Sequence, residues 1–370
     1  MKVALVHDWM NQMGGAEDVL AALVDLFPDA PVYTSLYARD KMPASWQTWD
    51  IRTSIIDRLP FAHRKQQLYF PFYPFAFEQF DFRGYDLVIS NKSGFCHGII
   101  TDTNTLHLCY CLTPTRYVWR YHQYAEQENL SPLVRRLLPP FLTQLRQWDR
   151  LAADRVDDFI AISEVVRRRI AKIYHREATI IYPPVDTSRF MPSAHVDDYY
   201  LFVGRLVPYR RLDVLIEAFN RLRLPLVIAG TGRDHERLAA LAGPDITFLG
   251  YVPDADLPDL MARCRAFIFP GEEDFGIAPI QAMAAGRPVI AYAAGGALDT
   301  VIPGQTGALF TEQTAAAIME TVRAFAPQEI AVATLRAQAR RYDVDVFRRR
   351  ITDFVAQKVD GGRTKDEGNS

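Results

Sequence analysis

The stretch Pro270-Gly271-Glu272-Glu273-Asp274-Phe275-Gly276-Ile277-Ala278-Pro279-Ile280-Gln281-Ala282-Met283-Ala284-Ala285-Gly286-Arg287-Pro288-Val289-Ile290-Ala291 decides how this sequence folds. It leaves an apolar run at Ala266–Phe269, passes through acids, and turns at Gly276 into a short apolar segment over Ile277–Ala284. Gly286 closes that segment and an apolar run resumes at Pro288–Ala291. Strand, helix and strand in such close succession read as a crossover within a parallel sheet. The acids then stand at the carboxyl end of a strand. The amides of Phe275, Gly276 and Ile277 open the helix, where the dipole favours an anionic ligand. Glu273 beside such donors suits a polyhydroxylated ligand that carries phosphate, and Gln281 follows eight residues on.

The same alternation extends outward on both sides. The second half offers strands at Tyr199–Val203, Pro225–Ala229 and Ile246–Leu249, and helices at Leu212–Leu222, Asp234–Leu241 and Ala255–Met261. Residues Gln313–Gln357 read as helical throughout. The first half offers strands at Lys2–Val6, Pro31–Leu36, Tyr85–Ser90, Leu106–Cys111, Phe159–Ile162 and Thr179–Tyr182. Its clearest helices are Glu17–Phe27, Pro132–Ala153 and Glu164–Tyr174. This is an α/β pattern of parallel sheets covered on both faces. The proline-rich Pro183-Pro184-Val185-Asp186 and the aperiodic Met191–Asp198 interrupt it. We therefore expect a first domain over 1–186, a linker over 187–198, a second domain over 199–341 and a disordered polar tail over 361–370. Open parallel sheets bind ligands outside the carboxyl ends of their strands, so a cleft between the two domains is the expected site.

Composition narrows the function. The 370 residues have a formal net charge of −2 and are 49% hydrophobic, which excludes a disordered chain and one that works by gripping nucleic-acid phosphates. The four cysteines, Cys96, Cys109, Cys111 and Cys264, lie in or near apolar runs and read as buried thiols of a reducing compartment. No apolar run approaches the roughly 20 residues of a membrane span, and the first residues do not form a leader, so a cytoplasmic protein is expected. Asp254-Ala255-Asp256 mimics a metal-binding pair, but its proline-flanked setting reads as turn and helix-cap chemistry.

Three further segments carry candidate chemistry. Gly14-Gly15-Ala16-Glu17 precedes the first helix, where glycines let backbone N–H groups approach a phosphate or sugar oxygen; an ordinary turn explains it equally well. Gly204-Arg205-Leu206-Val207-Pro208-Tyr209-Arg210-Arg211 follows a strand, and its guanidinium groups match a diphosphate. A solvated basic turn is the competing reading. Gly230-Thr231-Gly232 follows another strand and by itself signals only a turn.

Taken together, these segments resemble family 4 retaining glycosyltransferases of the GT-B fold. The Glu273–Gln281 region is similar to the family's E-x7-E motif, and the likeness includes Gly14-Gly15-Ala16-Glu17, Gly204-Arg205-Leu206, Gly230-Thr231-Gly232 and Gly295-Gly296. Within the family the chain resembles bacterial mannosyltransferases of polysaccharide assembly, through Val6-His7-Asp8-Trp9, Tyr85–Ser90 and Ile181–Asp186. The resemblance implies two Rossmann-like domains with parallel sheets facing across a cleft, and a last helix, 342–357, that packs back on the first domain. It implies a nucleotide-sugar donor, GDP-mannose before a UDP-sugar, in the second domain, and a glycan or polyprenyl-diphosphate-linked acceptor on the first. Arg205 and Arg210 would hold the diphosphate, and Glu273 the sugar hydroxyls. The amides of Phe275, Gly276 and Ile277 would contact sugar and phosphate, Gln281 the ribose, and Tyr251-Val252 the base. Gly14, Gly15, Gly204 and Gly230 would let backbone approach the donor. No cofactor or metal is implied.

Two departures from the family pattern stand out. Gln281 replaces the second glutamate, and Leu112 stands where relatives often carry a histidine in Cys-His-Thr-Pro. His7, His107 and His122 are conceivable substitutes, and none is assigned as catalytic. The aromatic run Tyr69–Phe77 and the basic, apolar run Arg135–Leu142 could dock a membrane surface at the inner membrane face, or pack as core and solvated helix respectively. Rival functions are a UDP-sugar-dependent transferase, a nucleotide-sugar 2-epimerase and a degenerate sugar-nucleotide-binding protein.

Overall fold

A computed structural model describes residues 1–64, 66–121 and 132–367, with the side chains of 132–137 and 361–367 left aside. The chain divides into two compact units. One comprises Met1–Tyr182 with Phe347–Ser370, and the other Pro183–Val346.

The first unit is built on seven strands: β1 (Val3–His7), β2 (Val32–Thr34), β3 (Ile51–Thr53), β4 (Leu87–Lys92), β5 (Leu106–Cys111), β6 (Asp158–Ala161) and β7 (Ala178–Ile180). Their order is β3-β2-β1-β4-β5-β6-β7, and every pairing is parallel. The strand order reverses between β1 and β4. The helices are α1 (Gly15–Leu26), α2 (Tyr73–Glu78), α3 (Arg116–Trp119), α4 (Pro132–Asp154) and α5 (Glu164–Tyr174). The apolar runs of β1 and β4 are buried because both faces of the sheet are covered, as parallel pairing requires. The stretch Tyr69–Phe77 divides its duties. Tyr73, Ala76 and Phe77 join the core, while Phe72 (57%) and Phe75 (55%) stay exposed.

The second unit has β8 (Tyr200–Val203), β9 (Leu226–Ala229), β10 (Ile246–Gly250), β11 (Ala266–Phe269), β12 (Val289–Tyr292) and β13 (Gly307–Phe310) in the parallel order β10-β9-β8-β11-β12-β13. Here the reversal falls between β8 and β11. The helices are α6 (Leu212–Leu222), α7 (His235–Leu241), α8 (Leu257–Arg263), α9 (Ile277–Ala284), α10 (Ala297–Thr300), α11 (Ala315–Ala324) and α12 (Val332–Arg340). Leu212, Leu215, Ile216 and Phe219 on α6 join Phe202, Ile228 and Ile268 of the sheet in one buried cluster. Truncating any of these to alanine costs about 2–5 kcal/mol. A final helix, α13 (Val344–Glu367), begins in the second unit and continues in the first.

Several expectations change. The stretch 187–198 is tied to the second unit rather than spanning freely: Arg287 donates to Ser193 O (2.8 Å), Asp197 N to Arg263 O (2.8 Å), and Arg263 pairs with Asp197 (2.9 Å). Residues Gln313–Gln357 are not one helical run, because Pro327 and the turn at Tyr342 separate α11, α12 and α13. The last helix starts at Val344 and runs beyond the expected 357, since extending an existing helix is far easier than starting one. The edge strands β3 and β13 are missed because each is only three or four residues long.

The loops at the carboxyl ends of the second sheet are packed backbone on backbone. Gly230 has φ +135°, and a Cβ there would strike the carbonyl of Gly204. Gly295 and Gly296 similarly abut the backbones of Glu273 and Phe275. Hydrogen bonds join the same loops: Leu206 N to Thr231 O (2.9 Å), Gly230 N to Gly250 O (2.7 Å) and Gly296 N to Glu273 O (2.9 Å). These glycines are demanded by neighbouring backbone before any ligand is considered.

Two stability predictions follow from this packing. Gly230→Ala should cost about 3 kcal/mol in urea unfolding, from strained φ and steric overlap together. Gly304→Ala, with φ +75° but open space around its Cβ, should cost only about 1 kcal/mol. Equal costs would show that the loops separate easily. In the first sheet, burial pushes the pKa of His107 down to about 3. The unfolded chain takes up this proton below about pH 6.5 and the folded chain does not, so stability is lost as pH falls from there toward 3. His107→Gln should therefore flatten the stability–pH curve, narrowing its deficit against wild type by about 2 kcal/mol between pH 6.5 and 4.5. Parallel curves would contradict a buried neutral His107.

Candidate functional site

In an open parallel sheet the crevice for ligands lies where the strand order reverses. In the second unit that position is flanked by the loops leaving β8 and β11. The first carries Arg205 and Arg210, and the second carries Glu272, Glu273 and Asp274. The structure joins the two loops directly, with Arg210 Nη1 paired to Glu273 Oε1. The side chains of both are largely but not wholly buried, at 13% and 19% exposed. Residues with separate expected roles, one for phosphate and one for sugar, thus face each other.

The surrounding geometry fixes both loops. Arg210 ends the short turn Pro208–Arg210, and its guanidinium carbon lies 5.7 Å from the centre of the Tyr209 ring. Arg205 is exposed and donates to the Tyr209 hydroxyl at 3.4 Å. Gly276 begins α9 with φ +88°, and a Cβ there would sit 2.7 Å from the Phe269 ring. Phe275 turns its side chain inward against Tyr342, with ring centres 5.7 Å apart. The amides at Phe275, Gly276 and Ile277 therefore belong to the start of α9, whose first turn carries no acid. Gln281 lies one turn along that helix and is half-buried. Tyr251 is 73% exposed, and Val252 beside it is half-buried. The preceding carbonyl, Gly250 O, accepts from Gly230 N, which ties this strand end to the loop after β9.

The first unit holds its loops with side chains. Asp8, at the end of β1, is fully buried and accepts four backbone N–H groups: Ser93 (2.6 Å), Gly94 (2.6 Å), Phe95 (2.6 Å) and Cys96 (2.8 Å). The Gly14-Gly15 turn rests on a buried polar cluster. Glu17 points inward to His7 Nε2 (3.4 Å), and Asn91 Nδ2 reaches His7 Nδ1 (3.2 Å) and Ala16 O (2.7 Å). His7 is thus a structural partner of Glu17 and Asn91, and His107 is a buried partner of Ser90 Oγ (2.9 Å). His122 lies outside the described residues, as do the side chains of Arg135 and Arg136. Leu112 is buried at the end of β5.

Sequence reasoning missed one cluster altogether. Lys92 ends β4 fully buried, donates to Thr115 Oγ1 (3.0 Å) and lies 3.9 Å from Asp149 Oδ1 on α4. Asp149 also accepts from the Thr115 hydroxyl, Trp119 Nε1 (2.7 Å) and Tyr174 OH (2.8 Å). Burial is the largest effect on Lys92 and opposes its charge, but Asp149 together with Cys111, Cys109 and Asp8 outweighs it, and the pKa lies above the ordinary lysine value. Burial, and then Lys92, push the pKa of His97 beside them well below that of an ordinary histidine. The network pins the segment after β5 to α4. The only sequence signal was a lysine closing an apolar strand. Among the described residues, no three His, Cys, Asp or Glu side chains gather as a metal site, and no helix is long and apolar enough to cross a membrane. Asp256 stands at the start of α8 without a side-chain cap bond, and Asp254 offers its carbonyl to Arg189 (2.9 Å).

Comparison with known proteins places these observations. Residues 13–189 match Glycosyltransferase Family 4, and residues 188–342 match Glycosyl transferases group 1. A GDP-mannose-dependent alpha-mannosyltransferase of Mycolicibacterium smegmatis is 37% identical over 139 residues, covering 34% of this chain and 36% of that protein. The same organism's GDP-mannose-dependent alpha-(1-6)-phosphatidylinositol monomannoside mannosyltransferase is 31% identical over 203 residues, covering 46% of this chain and 52% of that protein. The chain thus spans about half, or less, of the length of these relatives. Among solved structures, sucrose-phosphate synthase from Thermosynechococcus elongatus superposes with a TM-score of 0.77 at 18% identity, over 97% of this chain and 100% of that one. Parallel sheets in both units, the two family matches that run end to end over 13–342, and this superposition agree: the chain belongs to the family 4 glycosyltransferases and has their GT-B fold of two Rossmann-like domains.

Proposed function

We propose that this protein is a retaining glycosyltransferase that moves mannose from GDP-mannose to a glycan or polyprenyl-diphosphate-linked acceptor in polysaccharide assembly. The observation that carries the reading is the Arg210–Glu273 pair at the strand-order reversal of the second sheet, next to Arg205 and the start of α9. Cations, a carboxylate and helix-terminal amides meet there, as a sugar diphosphate requires. The choice of GDP-mannose rests on the relatives named above, which are described as GDP-mannose-dependent.

In this reading Arg205 and Arg210 hold the diphosphate, and the amides of Phe275, Gly276 and Ile277 reach phosphate and sugar. Glu273 binds sugar hydroxyls, Gln281 the ribose, and Tyr251 and Val252 flank the base. Gly204 and Gly230 shape the loops beneath the donor. Gly14 and Gly15 keep the role of letting backbone approach the donor, and the rest of the first unit serves the acceptor. The acceptor hydroxyl attacks the anomeric carbon from the face the diphosphate leaves, and the departing phosphate oxygen takes its proton. The protein lowers the barrier by stabilising negative charge as the diphosphate departs, and no metal or other cofactor takes part. The exposed Phe72, Phe75 and Phe141 give the first unit an apolar surface suited to contact with the cytoplasmic face of the membrane that carries a lipid-linked acceptor.

A thermal-shift series with GDP, UDP, ADP and CDP tests the donor, because a ligand that binds only the folded protein raises its unfolding temperature. GDP should give the largest shift. A shift with UDP alone would replace GDP-mannose by a UDP-sugar. In a transfer assay with GDP-mannose and a lipid-linked mannosyl acceptor, Glu273→Ala should lower turnover by about 100-fold or more while leaving the fold intact. Turnover should persist in EDTA. Binding of GDP-mannose without transfer to any lipid-linked acceptor would reduce the protein to a sugar-nucleotide binder.

A further inference from the structure

The Arg210–Glu273 pair raises a question that the functional reading leaves open: each residue is already occupied by the other. Their backbones have little freedom to separate. A Cβ on Gly271 would sit 2.9 Å from Arg210 Cα and 3.1 Å from the Tyr209 carbonyl oxygen, so the two loops touch backbone to backbone. The carbonyl of Glu273 is held by Gly296 N at 2.9 Å. Only the side chains can exchange partners, and both are partly open to solvent.

Resting on the donor site proposed above, we propose that Arg210 and Glu273 mask one another in the unliganded protein, and that their separation makes the site favour a sugar nucleotide over the nucleoside diphosphate left after transfer. A diphosphate draws Arg210 to itself and leaves the Glu273 carboxylate without its cation, close to a second anion. A partly buried charge that loses its partner is costly, and like charges brought together add to that cost. A sugar nucleotide offsets the loss, because its hydroxyls donate to the released carboxylate. The nucleoside diphosphate carries no sugar on its diphosphate and offers no such donors there. The same pair therefore couples recognition of phosphate to recognition of sugar, and weakens the hold on the product.

Calorimetric titration of GDP and GDP-mannose into wild type, Glu273→Gln and Glu272→Gln tests the exchange. Glu272 belongs to the same turn, so its variant removes an equal charge without breaking the pair. GDP should bind Glu273→Gln about tenfold more tightly than wild type, with GDP-mannose gaining less than about threefold and Glu272→Gln unchanged within about twofold. Glu273→Ala provides a second reading of the same shift should the glutamine variant fold poorly. The inference is overturned if GDP binds the Glu273 variants no more tightly than wild type, or if Glu272→Gln tightens GDP equally. Absence of GDP and GDP-mannose binding to wild type would instead overturn the donor reading, and this inference with it.

Discussion

Everything proposed for the second unit depends on how closely its loops approach one another at the carboxyl ends of the strands. Gly230 lies against the carbonyl of Gly204, Gly271 against Arg210, and Gly295-Gly296 against Glu273 and Phe275. A side chain at any of these glycines would push two loops apart. Without that contact, the loop after β8 would not bring Arg210 to Glu273 on the loop after β11. The charged pair is thus set by backbone packing, and the packing is set by the absence of Cβ atoms.

The first unit solves the same problem by other means. Its loops are held by buried charge: Asp8 gathers four backbone N–H groups, and Lys92 and Asp149 fasten the segment after β5 to α4. A buried pair of this kind stabilises little against an apolar substitute, but removing one member costs about 3–5 kcal/mol. Such a network specifies one arrangement of the loop. Backbone packing in one unit and buried side-chain charge in the other position the loops at the two strand-order reversals, in sheets that are otherwise alike.

The alternation of apolar strands and amphipathic helices made the fold legible. Helices α6 and α9 and strand β11 fall where the periodicity puts them, because each has a clear apolar pattern bounded by Gly, Pro or charge. The edge strands β3 and β13 were hidden, since three or four residues are too few for a periodicity to show. The glycine motifs were visible as positions but not as causes: Gly230-Thr231-Gly232 read as a turn or a ligand approach, and its glycines turn out to answer to neighbouring backbone. Arg210 and Glu273 stood out individually, while their pairing depends on a strand order that no local pattern encodes. Lys92 and Asp149 are more than fifty residues apart and unremarkable in sequence, so nothing local announced the cluster they form.

The central claim is that the loops leaving β8 and β11 form the donor site. Hydrogen–deuterium exchange with and without saturating GDP-mannose tests it most directly, because it reports where a ligand orders backbone without assuming any residue's role. The account predicts slowed exchange confined chiefly to residues 204–211 and 271–281, with β6 and α5 unchanged. Protection that spares both loops while appearing elsewhere in the chain would contradict it.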